Sequence, residues 1–156
     1  MEGSRPLLIE LQALVVPTSF GFPRRTAQGV DANRVSLLVA VMEKRLGVHL
    51  GNQDIFLNIA GGMKVGEPAA DLGVIVSIVS NFKDKLVDPE MVVFGEVGLG
   101  GEVRAVSQSE VRVKEATRLG FKRCLLPKQN QEKMKGAKGI ELIGVRSVQE
   151  AIKILF

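Results

Sequence analysis

Ile59-Ala-Gly-Gly-Met-Lys-Val-Gly-Glu-Pro-Ala-Ala-Asp-Leu-Gly73 joins two apolar segments of the chain. The run before it, residues 55–59, predicts a strand, and the run after it, residues 70–82, predicts a buried helix. A glycine-containing connection from a strand to a helix brings free backbone N–H groups and the positive end of the helix together. This stretch is therefore the first candidate for an active site or an anion-binding site.

Length and composition predict one globular domain. The chain has 156 residues, of which 46% are hydrophobic and 24% are charged, which excludes a disordered chain. This length is enough for a single domain over residues 1–156 with a buried core. Neither a transmembrane run nor a secretory signal is visible. The single cysteine, Cys124, excludes an intrachain disulfide, and we expect a buried thiol in a cytoplasmic protein that does not contact a membrane.

The charged and aromatic residues limit the kinds of partner. A net charge of +4 permits nucleic-acid binding if the charge is clustered. Tyrosine and tryptophan are absent, so only phenylalanine or arginine could stack on unpaired bases. The single histidine, His49, has no cysteine or second histidine near it, so no metal site is expected.

Periodicity predicts alternating strands and helices. We predict strands over residues 6–16, 54–59, 91–96, 102–106, 122–126 and 140–143. We predict helices over residues 32–46, 70–82, up to 119 from a cap at Ser107 or Ser109, 127–135 and 148–155. Asp31 and Ser147 are predicted to cap the first and last helices. The alternation in the second half is typical of βαβ units, so we expect an α/β fold with a mixed sheet.

Two features of the first half indicate function. Residues 17–29 are predicted to form a loop, and thirteen residues is long for a loop in a compact domain. Arg34 lies in the first turn of the predicted helix 32–46, where the helix dipole disfavours a cation. A partner carboxylate, a bound anion or simple solvation could each account for Arg34.

Two stretches carry a resemblance to a known family. The strand that begins at Asp54, with the glycine loop after it, and the later stretch Gly95-Glu-Val-Gly-Leu-Gly-Gly-Glu-Val103 resemble the proteolytic domain of Lon-type proteases. In that family a serine nucleophile begins the helix after the first stretch, and a lysine base lies on the helix after the second. The resemblance places Ala70 (with Ala69 next) at the serine position and Glu110 at the lysine position. A serine–lysine dyad needs a hydroxyl and an amine, and alanine and glutamate supply neither. The resemblance therefore implies a Lon-protease-type fold without peptidase activity.

The whole chain is similar to a narrower group. Residues 2–15, Pro23-Arg-Arg-Thr-Ala-Gln-Gly29, Asn33-Arg34, Gly61-Gly-Met-Lys64 and Glu67-Pro-Ala-Ala-Asp-Leu72 resemble the C-terminal domain of the bacterial RadA/Sms family of DNA-repair proteins. The resemblance implies a RecA-related ATPase that forms a ring, expected to be a hexamer, and promotes branch migration and processing of recombination intermediates. ATP and zinc belong to the family's preceding regions. Here there is no phosphate-binding Gly-Lys-Ser/Thr loop and no cysteine pair, so we expect no cofactor in this domain.

Five basic residues lie in loops or at the ends of predicted elements: Arg24, Arg25, Arg34, Lys64 and Arg104. With no dyad, we predict that they bind DNA phosphates independently of base sequence. In a ring these positions would repeat around the channel, and their fields would add. One alternative is an oligomerisation scaffold whose charges serve subunit contacts through Glu67, Asp71 or Glu110. Another is a serine peptidase that uses Ser107 or Ser109 as a displaced nucleophile.

Overall fold

Eight strands and five helices make up the part of the chain that the computed structural model describes, which is residues 1, 5–19, 21–134 and 136–156. The strands are β1 (Leu11–Pro17), β2 (Arg25–Gln28), β3 (Gln53–Ile59), β4 (Met91–Val93), β5 (Glu96–Val97), β6 (Val103–Arg104), β7 (Arg123–Pro127) and β8 (Glu141–Val145). The helices are α1 (Ala32–Leu46), α2 (Asp71–Lys83), α3 (Ser109–Arg118), α4 (Lys128–Glu132) and α5 (Val148–Leu155). Two short 3-10 turns, Ala60–Gly62 and Pro68–Ala70, lie between β3 and α2.

The first sheet has the strand order β1-β3-β2 and is mixed. β1 runs antiparallel to β3, whereas β2 runs parallel to β3 and is joined to it by α1 as a crossover helix. α2 packs closely against β1 at Gly73. A Cβ at this position would lie 3.1 Å from a methyl group of Leu11. The apolar faces of α1 and α2 fill the main core between these elements and α5.

The second sheet has the strand order β4-β7-β8 and is parallel throughout. α3 and α4 connect its strands, as the predicted βαβ alternation requires. β5 and β6 form a separate antiparallel hairpin. Cys124 is fully buried in β7, and burial raises the pKa of its thiol to about 12. The thiol is therefore un-ionised near neutral pH, which agrees with its predicted structural role.

The mixed α/β fold class is confirmed, and the helices with side-chain caps are the most accurately predicted elements. The Asp31 carboxylate accepts a hydrogen bond from the Asn33 N–H at 2.9 Å, and α1 spans Ala32–Leu46 as expected. Similarly, the Ser147 hydroxyl oxygen accepts from the Glu150 N–H at 3.1 Å at the start of α5. None of the helices in the described ranges is long and apolar enough to cross a membrane.

Two predictions in the first half were wrong in extent. The first strand begins at Leu11, whereas residues 6–10 form no strand. The predicted loop 17–29 contains β2, a four-residue strand of mixed polarity. β2 pairs with β3 far along the chain, so local periodicity gives no sign of it.

Three predictions in the second half also needed correction. The predicted strand 91–96 is divided into β4 and β5, which pair with different partners. Neither Ser107 nor Ser109 caps α3, since Gln108 is the N-cap residue, in the left-handed conformation and without a side-chain cap. The helix predicted over residues 127–135 is the shorter α4, and residue 135 lies outside the described residues.

Candidate functional site

The loop after β3 is held against the end of β2. The Val65 N–H donates to the Gly29 carbonyl oxygen at 2.6 Å. Gly29 has a φ of +87°, and a Cβ there would lie only 2.4 Å from the Met63 carbonyl oxygen. Gly29 therefore allows a backbone-to-backbone contact that no other residue could make without moving the loop.

The start of α2 is closed within the chain. The Ala70 N–H donates to the Glu67 carbonyl oxygen at 3.1 Å, and the Asp71 N–H donates to that of Pro68. The Leu72 N–H donates across to the Gly95 carbonyl oxygen at 3.0 Å. Because these three N–H groups are already bonded, they are not free donors for an anion at the start of α2.

A buried ion pair occupies the space beside this helix start. The Arg34 Nε donates to Asp71 Oδ1 at 3.0 Å, and its Nη2 binds Asp71 Oδ2 and the Val97 carbonyl oxygen. Asp71 is only 3% exposed, and its Oδ2 also accepts from the Val97 N–H at 3.0 Å. The hydrogen bond to Asp71 raises the pKa of Arg34 despite partial burial. Of the roles left open for Arg34, the structure confirms a partner carboxylate.

A second ion pair joins the loop before Ala70 to α3, the helix that carries Glu110. Arg112 Nη2 on α3 binds Glu67 Oε1 in the loop before Ala70, and the guanidinium lies 5.8 Å from the centre of the Phe94 ring. Burial opposes ionisation of Glu67, but hydrogen bonds from the Met1 amino group and Arg112 lower its pKa below the usual value. Sequence reasoning missed Arg112, which lies one helical turn along from the start of α3.

The two positions that the resemblance assigns to a serine–lysine dyad hold alanine and glutamate. Ala70 lines a groove of about 960 Å³ bounded by residues 6–11, α2, β4 and α3. Glu110 is exposed in the first turn of α3. Within the described ranges, Ser107 and Ser109 do not line this groove. The Ser77 hydroxyl, which does line it, donates to the Gly73 carbonyl oxygen at 2.8 Å and not to a basic side chain.

A second buried aspartate organises the loop between β1 and β2. Asp54 Oδ1 accepts from the Thr18 hydroxyl at 3.1 Å and from the Arg24 N–H at 2.7 Å, so one carboxylate holds both ends of the loop. The Arg24 N–H contributes most to lowering the pKa of Asp54. The Arg24 side chain is 73% exposed, and its guanidinium lies 5.8 Å from the centre of the Phe56 ring.

The other predicted DNA-binding residues differ in how they are held. Arg25 donates from Nη1 to the Gln53 carbonyl oxygen and from Nη2 to that of Leu50 at 2.9 Å. Lys64 is exposed and forms no ion pair with the part of the chain that is described. Arg104 is 54% exposed, with Nη2 3.6 Å from a Glu102 carboxylate oxygen.

These residues do not form one cluster. Arg25 pairs with Ile55 near the start of β3, whereas Lys64 lies beyond the end of β3 at Ile59. Arg104 lies on the separate β5–β6 hairpin. Within this chain, therefore, Arg25, Lys64 and Arg104 lie at the two ends of the first sheet and on the hairpin.

Comparison with known proteins places this arrangement in a family. Residues 20–130, which include Arg24, Asp54 and the start of α2, match the family model described as subunit ChlI of Mg-chelatase. The chain belongs to this family. It is also similar to the DNA repair protein RadA of Bacillus subtilis (strain 168), with 57% identity over 98% of this chain and 33% of that protein.

Two further relatives carry the same name. DNA repair protein RadA of Halalkalibacterium halodurans is 55% identical over 99% of this chain and 34% of its own length. DNA repair protein RadA of Synechocystis sp. is 52% identical over 98% of this chain and 30% of its own length. This ChlI-family chain thus spans about a third of the length of the curated relatives it matches.

Proposed function

We propose that this chain is a non-proteolytic DNA-binding and ring-assembly domain, with a Lon-protease-type fold, of a RecA-related DNA-repair ATPase. The observation that carries the proposal is the 57% identity, over nearly the whole chain, to a protein named DNA repair protein RadA. The parent protein would be a DNA-dependent ATPase of the bacterial cytoplasm that acts on recombination intermediates. Its ATP and zinc sites would lie in the two thirds of such a protein that this chain does not cover.

The lack of a nucleophile supports a non-proteolytic role. Ala70 has no hydroxyl, and Glu110 cannot act as the amine base of a serine–lysine dyad. The first N–H groups of α2 are also bonded internally, so they could not stabilise an oxyanion. A purified chain that hydrolysed an unfolded protein, and no longer did so after Ser107→Ala or Ser109→Ala substitution, would support the peptidase alternative.

The five predicted DNA-binding residues fall into two groups, according to whether the side chain is bound within the chain or exposed to solvent. Arg34 is engaged by Asp71, and Arg25 by two backbone carbonyl oxygens, so their main contribution is to the fold. Lys64 presents its charge to solvent, and Arg24 is 73% exposed with its Nη2 3.6 Å from Asp54 Oδ2. Arg104 faces Glu102 in an exposed pair at 3.6 Å, which solvent screens and which a phosphate could displace.

The test is a triple variant, Arg24→Ala, Lys64→Ala and Arg104→Ala, compared with a matched control, Lys122→Ala, Lys133→Ala and Lys138→Ala. Both remove three exposed positive charges. Duplex-DNA binding is measured by fluorescence anisotropy over a salt series. For each phosphate that the triple variant no longer binds, the slope of log affinity against log salt should flatten by about 0.9, and the control should leave it unchanged. Equal slopes for the two variants would refute this choice of DNA-binding residues.

A pure oligomerisation scaffold is the second candidate. The exposed side chains of Leu7, Leu8 and Leu86 favour a subunit surface on this domain. Asp71 and Glu67, however, already bind Arg34 and Arg112 in the same chain. If the scaffold is correct, sedimentation of the triple variant will show smaller assemblies while its DNA affinity stays at the wild-type value.

A further inference from the structure

The aromatic side chain of Phe22 is almost fully exposed to solvent. It is 93% exposed, whereas the other phenylalanines that the structure describes are buried or partly buried: Phe56, Phe82, Phe94, Phe121 and Phe156. Phe20 lies outside the described residues. A ring this exposed contributes nothing to the core, and no other aromatic side chain in the described part of the chain belongs to the exposed class.

The loop that carries Phe22 is anchored at its base. Thr18 and Arg24 both bind Asp54 Oδ1, and the Thr18 N–H donates to the Asn52 carbonyl oxygen at 2.8 Å. At the tip, Gly21 takes a φ of +65°, and Pro23 fixes the backbone immediately after Phe22. The loop therefore presents Phe22 to solvent from a base that Asp54 holds at both ends.

A positive charge lies beside the aromatic ring in sequence. The Arg24 side chain, two residues after Phe22, is 73% exposed, lies over Phe56 and has its Nη2 3.6 Å from Asp54 Oδ2, a distance that leaves the guanidinium accessible to a phosphate. An aromatic ring with a neighbouring cation is the combination that binds single-stranded nucleic acid, because a base stacks on the ring while the cation contacts the phosphate. Bases in an intact duplex are already stacked on each other and do not offer a free face.

We propose that residues 18–19 and 21–24, named here the Phe22 loop, bind single-stranded DNA. The Phe22 ring stacks on one base, and the Arg24 guanidinium contacts an adjacent phosphate. This inference rests on the proposed DNA-binding function and assigns it a substrate class, DNA with an unpaired strand. An exposed ring could also bind another protein, and the experiment separates the two.

The experiment uses the 156-residue chain and a fluorescein-labelled dT oligonucleotide of about 20 nucleotides, with a duplex of equal length in parallel. Affinity is measured by anisotropy over a salt series for wild type and for Phe22→Ala, Phe22→Leu and Arg24→Ala. Phe22→Ala should weaken dT binding by about 5- to 150-fold at every salt concentration, with an unchanged salt slope. Phe22→Leu should bind like Phe22→Ala. Arg24→Ala should instead flatten the slope by about 0.7.

A tryptophan variant gives a direct signal. The chain has no tryptophan, so Phe22→Trp introduces one fluorophore at the loop tip. Stacking on a base should quench its fluorescence on titration with dT, and its dT affinity should equal or exceed that of wild type. Leu99→Ala, which removes another exposed apolar side chain, on the β5–β6 turn, is the matched control and should leave dT affinity unchanged.

The outcomes distinguish this inference from the function on which it rests. If wild type binds DNA but Phe22→Ala binds dT within twofold of it, the stacking site is refuted and the DNA-binding proposal stands. If Phe22→Ala changes only self-association in sedimentation, the ring is a protein contact and the inference is refuted. If wild type binds neither dT nor duplex, both proposals fail.

Discussion

Two buried aspartates, Asp71 and Asp54, organise two regions of this protein in different ways. At the start of α2, Asp71 takes two hydrogen bonds from the Arg34 guanidinium, whose side chain is 32% exposed. In the Phe22 loop, Asp54 takes its shortest hydrogen bond from the Arg24 backbone N–H, and its Oδ2 lies 3.6 Å from Nη2 of the Arg24 side chain, which is 73% exposed. The comparison shows that a buried carboxylate can hold a guanidinium through two close contacts, or can anchor the backbone of an arginine and leave its guanidinium loosely paired and accessible.

The largest effect is expected from removing the buried partner of Arg34. Asp71→Ala leaves the guanidinium and the Val97 N–H without their acceptor, and we expect the free energy of unfolding to fall by about 3 kcal/mol. Urea denaturation monitored by circular dichroism measures it. Glu110→Ala, which removes an exposed carboxylate, is the control and should change stability by less than about 0.5 kcal/mol. A decrease below about 1 kcal/mol for Asp71→Ala would mean that the pair is not a structural element.

An intermediate effect is expected at Gly29, which lies at the end of β2 away from the Phe22 loop, where β2 contacts the loop before α2. Gly29→Ala places a Cβ against the Met63 carbonyl oxygen and requires a non-glycine residue at a φ of +87°. We expect a decrease of about 2 kcal/mol in the same denaturation experiment. Gly66→Ala has nothing within 4 Å of the added Cβ, so it should stay close to wild type. If both variants were destabilised equally, the packing of the loop on β2 would not be the cause.

The smallest effect is a pH dependence at Asp54. Its pKa is lowered in the folded protein, mainly by the Arg24 N–H, so the carboxylate stabilises the fold above its unfolded pKa of about 4. This stabilisation disappears as the pH falls through the lower folded value. The stability difference between wild type and Asp54→Asn should therefore be constant from about pH 7 to 5 and shrink below about pH 4. Asp31→Asn is the control, because either side chain caps α1.

Elements whose signals are local were predicted well from the sequence. α1 and α5 have their caps and apolar stripes within their own residues, and both were predicted to the residue. β2 was missed because its only strand-forming partner, β3, begins 25 residues after β2 ends (28 to 53). The break between β4 and β5 was missed because it depends on strand pairing: β4 pairs with β7, whereas β5 pairs with β6.

The site was predicted in part for the same reason. Position 34 was identified as anomalous from the helix dipole alone, but its partner lies 37 residues away and needed the fold. The Glu67–Arg112 contact, 45 residues apart, likewise has no local signal. Phe22 was overlooked because a phenylalanine is usually a core residue, and only its exposure in the structure distinguishes it.

The closed start of α2 limits how this domain could change during evolution. A mutation that placed a serine at position 70 would supply a hydroxyl, yet the N–H groups of residues 70–72 would still be bonded to carbonyl oxygens of the same chain. Under the proposed Lon-protease-type fold, position 110 would still hold a carboxylate where that family has its lysine. Under the same proposal, a serine–lysine dyad would require changes at both positions. The absence of a dyad in this domain is, in that sense, hard to reverse.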